Sequence, residues 1–268
     1  MRISSAASAR SEKIAGGGNH DRPHDDYPDM NRRTLLSAAT VVPLAAAVPT
    51  TASAAAAAPN ASWSAENPLR VQVLVFDGAE ELDYTGPYEI FSVAGRMSSG
   101  AVTVSLVTGD QPGEVTAFHG TKIIVAESLR PAEADLLVVP GGGYGQKNGP
   151  GIWGEIAKGT IPAALRAAPR PGLTVSALCT GTILLAEAGL LTGRPCTTHH
   201  LTRADVVERG GVLKDARVVD DGDVVTATAV TSGIDLALHL VRRELGADLA
   251  VRVENLIDYE RRGTVWQR

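Results

Sequence analysis

The sequence is poor in aromatic residues, at 4% of 268 positions, and poorer still in cysteine, which occurs only as Cys179 and Cys196. Two cysteines exclude the disulfide-dense scaffold of a small secreted domain, and neither stands in a CxxC or Cys/His spacing suited to zinc. A bridge between them would need Cα atoms within about 7 Å, a demand that favours two free thiols. A basic excess is missing too: 25 Lys and Arg face 30 Asp and Glu, for a net charge of -5. No cationic face is therefore expected to track a nucleic-acid backbone. An uncharged apolar run of the ~20 residues that a bilayer span needs is also lacking. Hydrophobic residues as a whole are plentiful, at 44%, enough for a large core in a chain of this length.

The first quarter of the chain does not read as packed structure. Residues 1–29 are polar and glycine-rich without periodicity, which predicts a disordered leader, with Met30 as an alternative start. Residues 30–58 carry Arg32 and Arg33 before an apolar run from Leu35 to Val48 that contains Pro43, then small residues with Ala52-Ser53-Ala54 as a cleavage option. This pattern resembles a twin-arginine export signal, so the expectation is an exported protein without a stable membrane anchor. Residues 59–68 read as a linker, 69–263 as one folded domain and 264–268 as a tail.

From Leu69 onward apolar strands alternate with helical patterns. "LRVQVLVFDG", "VTVSLVTG", "ADLLVVPGGGYG" and "LTVSALC" are strand-like, and "TKIIVAESL" and "PCTTHHL" are shorter ones. "ELDYTGPYEIFSVAG" predicts a helix with Pro87 near its first turn and Gly95 as its stop. "WGEIAKGTIPAALRAAP" predicts one interrupted at Gly159 and Pro162. "TGTILLAEAGLL" and "ADVVERGG" are further helices, and the last long one breaks at Gly246. "ARVVDDGDVVTATA" predicts a hairpin turning at Asp221-Gly222. The alternation implies an α/β fold, a three-layer α/β/α sandwich with a mainly parallel central sheet. In such a sheet the site lies at the carboxyl ends of the strands, where Asp77-Gly78, Gly141-Gly142-Gly143 and the Cys179 turn converge.

Cys179 stands between a buried strand and a helix, the position of a nucleophile elbow. A free cysteine taken alone is more often packing than chemistry, but the strand before it and Gly181 after it favour the nucleophile. The helix behind it predicts a lowered thiol pKa. Cys196, after Pro195, lacks this setting. Gly141-Gly142-Gly143 allow backbone N–H groups to approach an anion, as an oxyanion site requires, and no phosphate-loop signature follows them. Asp235 and His239, one turn apart on a helix, are better explained by packing than by a metal, since no further ligand converges in sequence.

"FDGAEELDYTGPYEIF", "LLVVPGGGYG", "ALCTGTILLAEAGLLTGRPCTTHH" and "DDGDVVTATAVTSGIDLALHLVRRELG" together resemble the ThiJ/PfpI superfamily, which is related to the class I glutamine amidotransferases, over roughly residues 69–262. The resemblance implies a flavodoxin-like arrangement of the sheet and a cofactor-free enzyme acting on a small molecule, with no metal and as a homodimer. It assigns Cys179 as nucleophile, Asp83 as the acid in contact with it and Thr180 as a third catalytic residue, the one that isonitrile hydratases use after the cysteine. Gly142 and Gly143 are assigned as oxyanion donors and His199 as a pocket residue. A carboxylate facing a thiolate raises both pKa values, so the pair is workable when one proton is shared and Asp83 is the acid. The bland alternative for Asp83 is a helix cap. Proteolytic members carry histidine after the cysteine, where this chain has Thr180, and "LDYTGPYE" with "CTG" is most similar to isonitrile hydratases and to the amidotransferase-like domains of certain transcription regulators. That wording implies hydration of an isonitrile to a formamide. An exported redox-responsive or non-catalytic protein, and a deglycase or glyoxalase-like activity, are the alternatives.

Overall fold

The computed structural model describes residues 63–268, so the expected leader, the export signal and the first four residues of the linker lie outside the described residues. β1 (Leu69–Val75) leads into helix α1 (Glu81–Met97) and returns as β2 (Val102–Thr108). A hairpin of β3 (Gly113–Thr116) and β4 (Lys122–Val125) follows, then the short β5 (Glu127–Ser128) and β6 (Leu136–Val139). Helices α2 (Ile152–Lys158) and α3 (Thr160–Ala167) precede β7 (Thr174–Leu178) and α4 (Thr182–Glu187). β8 (Pro195–Cys196), α5 (Arg203–Glu208) and β9 (Val212–Leu213) come next. The chain ends with β10 (Val218–Asp220), β11 (Val224–Ala227), α6 (Ser232–Leu245), α7 (Ala247–Ile257) and β12 (Val265–Gln267).

Eight strands form one sheet in the order β12-β10-β11-β7-β6-β1-β2-β5, parallel except for the β10–β11 hairpin. Leu136 to Val139 are all buried, as a central strand covered on both faces demands. The chain crosses from β1 to β2 in one direction through α1 and from β6 to β7 in the other through α2 and α3. Right-handed crossovers running in opposite directions put those helices on opposite faces. Helices α1, α6 and α7 pack as one layer, and α2 to α5 as the other. This is the expected three-layer α/β/α sandwich, and β1, β6 and β7 lie side by side at its centre with their carboxyl ends together. Among the described residues no helix is long and apolar enough to cross a membrane.

Several local expectations are corrected. Pro87 lies well inside α1 rather than near its first turn, so the Asp83 carbonyl has no helical N–H to receive. Gly95 does not stop that helix. A Cβ there would stand 2.5 Å from the Val102 carbonyl oxygen, so glycine is needed for the close approach of α1 to β2. "TKIIVAESL" divides into β4, paired with β3, and β5 at the sheet edge. Pro162 sits in the first turn of α3, where its missing N–H costs nothing, and Gly159 alone, at φ +78°, separates α2 from α3. "PCTTHHL" is only two residues of strand followed by a short 3-10 turn at His200–Thr202. Residues 265–267 are an eighth strand in the sheet rather than a tail.

Substituting Gly95→Ala should force α1 away from β2 and cost about 1–3 kcal/mol. Thermal denaturation should show a clearly lower midpoint, and an unchanged one would refute the close-approach explanation.

Candidate active site

Cys179 directly follows β7 and opens a one-turn 3-10 helix, Cys179–Gly181. Its φ of +54° lies in the left-handed region, where a side chain crowds the backbone and the conformation persists only if its surroundings enforce it. They do so through its carbonyl, which accepts from the Thr198 hydroxyl at 3.0 Å, the Thr182 hydroxyl at 3.2 Å and the His199 N–H at 3.4 Å. The elbow is thus braced from both the helix after it and the segment after β8.

One strand over, Gly141–Gly143 leave β6 pressed between two neighbouring turns. A Cβ on Gly141 would stand 2.3 Å from Thr180 Oγ1, and one on Gly142 would stand 2.1 Å from the Gly78 carbonyl oxygen. Gly142 and Gly143 also have φ of +144° and +64°. Close packing and conformation both require glycine in this run.

Asp83, in the first turn of α1, is completely buried. It does not cap the helix. Its Oδ2 accepts the Gly141 N–H at 2.8 Å. Oδ1 has no hydrogen-bond partner of good geometry among the described residues, and the carboxyl interacts with the Cys179 thiol. Burial raises the Asp83 pKa to about 7, against the pull of the Gly141 N–H and the thiol; the Glu80 charge adds to the rise. Burial also pushes the Cys179 thiol up, the Asp83 charge pushes it further, and the Thr180 N–H opposes both. The expected lowering of the thiol pKa is therefore overturned. The helix behind it is a 3-10 turn followed by only six α-helical residues, too little dipole to offset desolvation beside a carboxyl. The resting pair holds its protons, with Asp83 as the group that ionises near neutrality.

Thr180 Oγ1 accepts the Gly142 N–H at 2.9 Å. That bond removes Gly142 from the expected pair of oxyanion donors, while the Gly143 N–H finds no acceptor among the described residues. The Thr180 hydroxyl, used as an acceptor, keeps its own proton for donation. His199 reaches Cys179 through its backbone and not its ring. The half-buried ring accepts the Leu201 N–H at Nδ1 and stacks on His200 at 4.2 Å, and burial lowers its pKa.

Sequence reasoning missed a second group at this end of the sheet. The loop between β3 and β4 docks on the turn before α1: the Phe118 N–H donates to the Ala79 carbonyl at 2.8 Å, and the His119 N–H donates to both Glu81 carboxylate oxygens. The His119 ring then lies 3.3 Å from Glu80 Oε1. The adjacent acids of "GAEELD" were visible, but their partner, 38 residues on in an irregular loop, gave no periodic signal. Glu80, Glu81 and His119 bring ligand-type atoms within 4.8 Å of one another. Because Glu81 already receives three backbone N–H bonds, from His119 and Thr121, the group reads as a clamp and not a metal centre. Elsewhere, His239 bonds Asp220 at 2.8 Å, and Asp235 pairs with Arg217 and Tyr259, which is the packing role expected for them. Cys196 is a free, buried thiol whose pKa burial raises to about 11.

Residues 69–243 match the family model described as the DJ-1/PfpI family. An isonitrile hydratase from Pseudomonas putida is 29% identical over 196 residues, covering 71% of this chain and 78% of that protein. The crystal structure of an AraC family transcriptional regulator from Pseudomonas putida superposes with a TM-score of 0.59 at 26% identity, over 71% of this chain and 100% of that one. A THiJ/PfpI family protein from Pseudomonas syringae has the same fold, with a TM-score of 0.63 at 22% identity over 80% of this chain and 82% of that one.

The Asp83 environment predicts a pH dependence of stability. Unfolded, this carboxyl loses its proton near pH 4; folded, it keeps it to about pH 7. A raised folded-state pKa contributes stability fully below about pH 4 and loses it as pH rises toward 7, on the order of 4 kcal/mol in all. Asp83→Asn should flatten the fall in melting temperature across pH 4 to 8, and a slope identical to that of the unsubstituted protein would contradict the assignment.

Proposed function

The chain belongs to the DJ-1/PfpI family, and within it we propose a cofactor-free, cysteine-dependent hydro-lyase that adds water to an isonitrile and releases an N-substituted formamide. The observation that carries the reading is the buried Asp83 carboxyl, with one oxygen fixed by Gly141 and the other without a hydrogen-bond partner among the described residues, beside a thiol on a strained elbow. Thr180 in place of a histidine and the similarity to an isonitrile hydratase support the same choice.

In this scheme the Cys179 sulfur forms a bond to the terminal isonitrile carbon. Asp83 delivers its proton to that carbon and takes up the thiol proton, which leaves a neutral thioimidate, R–N=CH–S. Water then adds to the C=N bond, its oxygen to carbon and one proton to nitrogen. Thr180 orients the water through its free O–H, and Gly143 N–H steadies charge developing on its oxygen. The C–S bond breaks, the hydroxyl proton returns through Asp83 to sulfur, and R–NH–CHO leaves. No electron is gained or lost, so thiol, acid and water supply everything required. His199 is assigned a supporting role through the elbow backbone. The proposal extends to export by the twin-arginine-type segment and to a homodimeric state.

Incubation with cyclohexyl isocyanide should yield N-cyclohexylformamide, measured by chromatography. Cys179→Ala should abolish product formation, and Asp83→Asn should slow it by roughly 100-fold or more. Turnover that survives Cys179→Ala, or no turnover across alkyl and aryl isonitriles, would overturn the proposal.

A further inference from the structure

The Glu80–His119 clamp has no part in the scheme above, yet it is built onto the same turn. The Glu80 N–H donates to the Gly141 carbonyl at 2.9 Å, while the Gly141 N–H donates to Asp83 and the neighbouring Gly142 N–H to Thr180. Glu80 is therefore bonded to the same residue, Gly141, that holds the acid. Its side chain is 20% exposed and is held by His119 Nε2 at 3.3 Å. The β3–β4 loop that supplies His119 is in turn fixed by the Ala79 carbonyl, by Glu81 and by Asp77, whose Oδ1 accepts the Thr116 N–H at 2.9 Å. The loop is thereby fixed on the turn between β1 and α1, which holds the His119 ring beside the Glu80 carboxylate.

A fixed negative charge beside two acids has a definite effect. It opposes the loss of a proton from either one, and in a site screened from water that opposition reaches several ångströms. The charge of Glu80 acts in this sense on both Asp83 and Cys179. The other groups near the pair are His199, turned to Leu201 and His200, and Glu81, turned to the β3–β4 loop.

We infer that Glu80, tethered by His119, is a positioning residue that sets the pH at which the Asp83–Cys179 pair gives up its first proton and so keeps the acid loaded at neutral pH. The inference rests on the reading of Asp83 and Cys179 as the reacting pair. It adds that the β3–β4 loop, distant in sequence, regulates that pair electrostatically without touching substrate.

The test is the pH profile of iodoacetamide alkylation at Cys179, followed by peptide mass spectrometry from pH 5 to 10 so that it does not depend on turnover. Glu80→Gln removes the charge but keeps the backbone bond to Gly141. It should move the first inflection down by about half a pH unit, which is roughly threefold faster alkylation below the midpoint. Glu80→Asp, which restores a carboxylate, should return the inflection toward its original position, and His119→Ala should move it in the same direction as Glu80→Gln. A Glu80→Gln profile that superimposes on the unsubstituted one, or a Glu80→Asp shift equal to that of Glu80→Gln, would overturn the inference. Asp83→Asn separates the two readings: it should erase the inflection, and an inflection that persists would instead defeat the assignment of Asp83 and Cys179 as a coupled pair.

Discussion

Where β1, β6 and β7 end, three stretches of backbone come closer than any side chain would allow, and the site is organised around that approach. The glycines at 141 and 142 run between the Thr180 turn on one side and the Gly78–Glu80 turn on the other. The peptides brought together there exchange bonds in a closed pattern, in which Gly141 donates to Asp83 and receives from Glu80 and Gly142 donates to Thr180. A polar group in so dry a place is costly unless it is paired. The pattern satisfies almost all of them and leaves Asp83 Oδ1 over, facing chemistry.

This arrangement separates two properties that an elbow cysteine is often assumed to combine. The strained turn presents the sulfur, but burial next to a carboxyl keeps it a thiol and makes the carboxyl the labile acid. In the proposed scheme the electrophile accepts sulfur and a proton together, with Asp83 supplying the proton while the sulfur stays a thiol until it reacts. An isonitrile carbon, which becomes both S-bound and C–H-bound in one step, suits such a pair better than an amide carbonyl, where an anionic nucleophile and a histidine serve.

The frame of the sheet was legible from residues alone. Leu136 to Val139 is an unbroken apolar run and Thr174 to Leu178 a run of small and apolar residues, because a central parallel strand is covered on both faces, and that leaves a mark in composition. Cys179 was legible for the same reason, as the first residue past such a run. Features that depend on contact across the fold left no local mark. Gly95 looks like a helix stop in one dimension and is a helix–strand contact in three. The bond from the Gly142 N–H to Thr180 could not be anticipated, because it depends on the distance between two loop backbones. Val265 to Gln267, too short and too exposed to show periodicity, become a strand only because β10 offers them an edge. Glu80 was an acid among acids until a loop far along the chain came to rest against it.

The positive φ at Cys179 sets the placement of the sulfur against the ease of the backbone at one residue. Glycine would relax that turn, and the three donors on the Cys179 carbonyl would then be holding a residue that no longer resists them. This chain therefore keeps at position 179 a side chain that its own backbone disfavours. Glycine or asparagine tolerates that conformation better than cysteine does, so a single substitution here would remove the sulfur and relax the turn together.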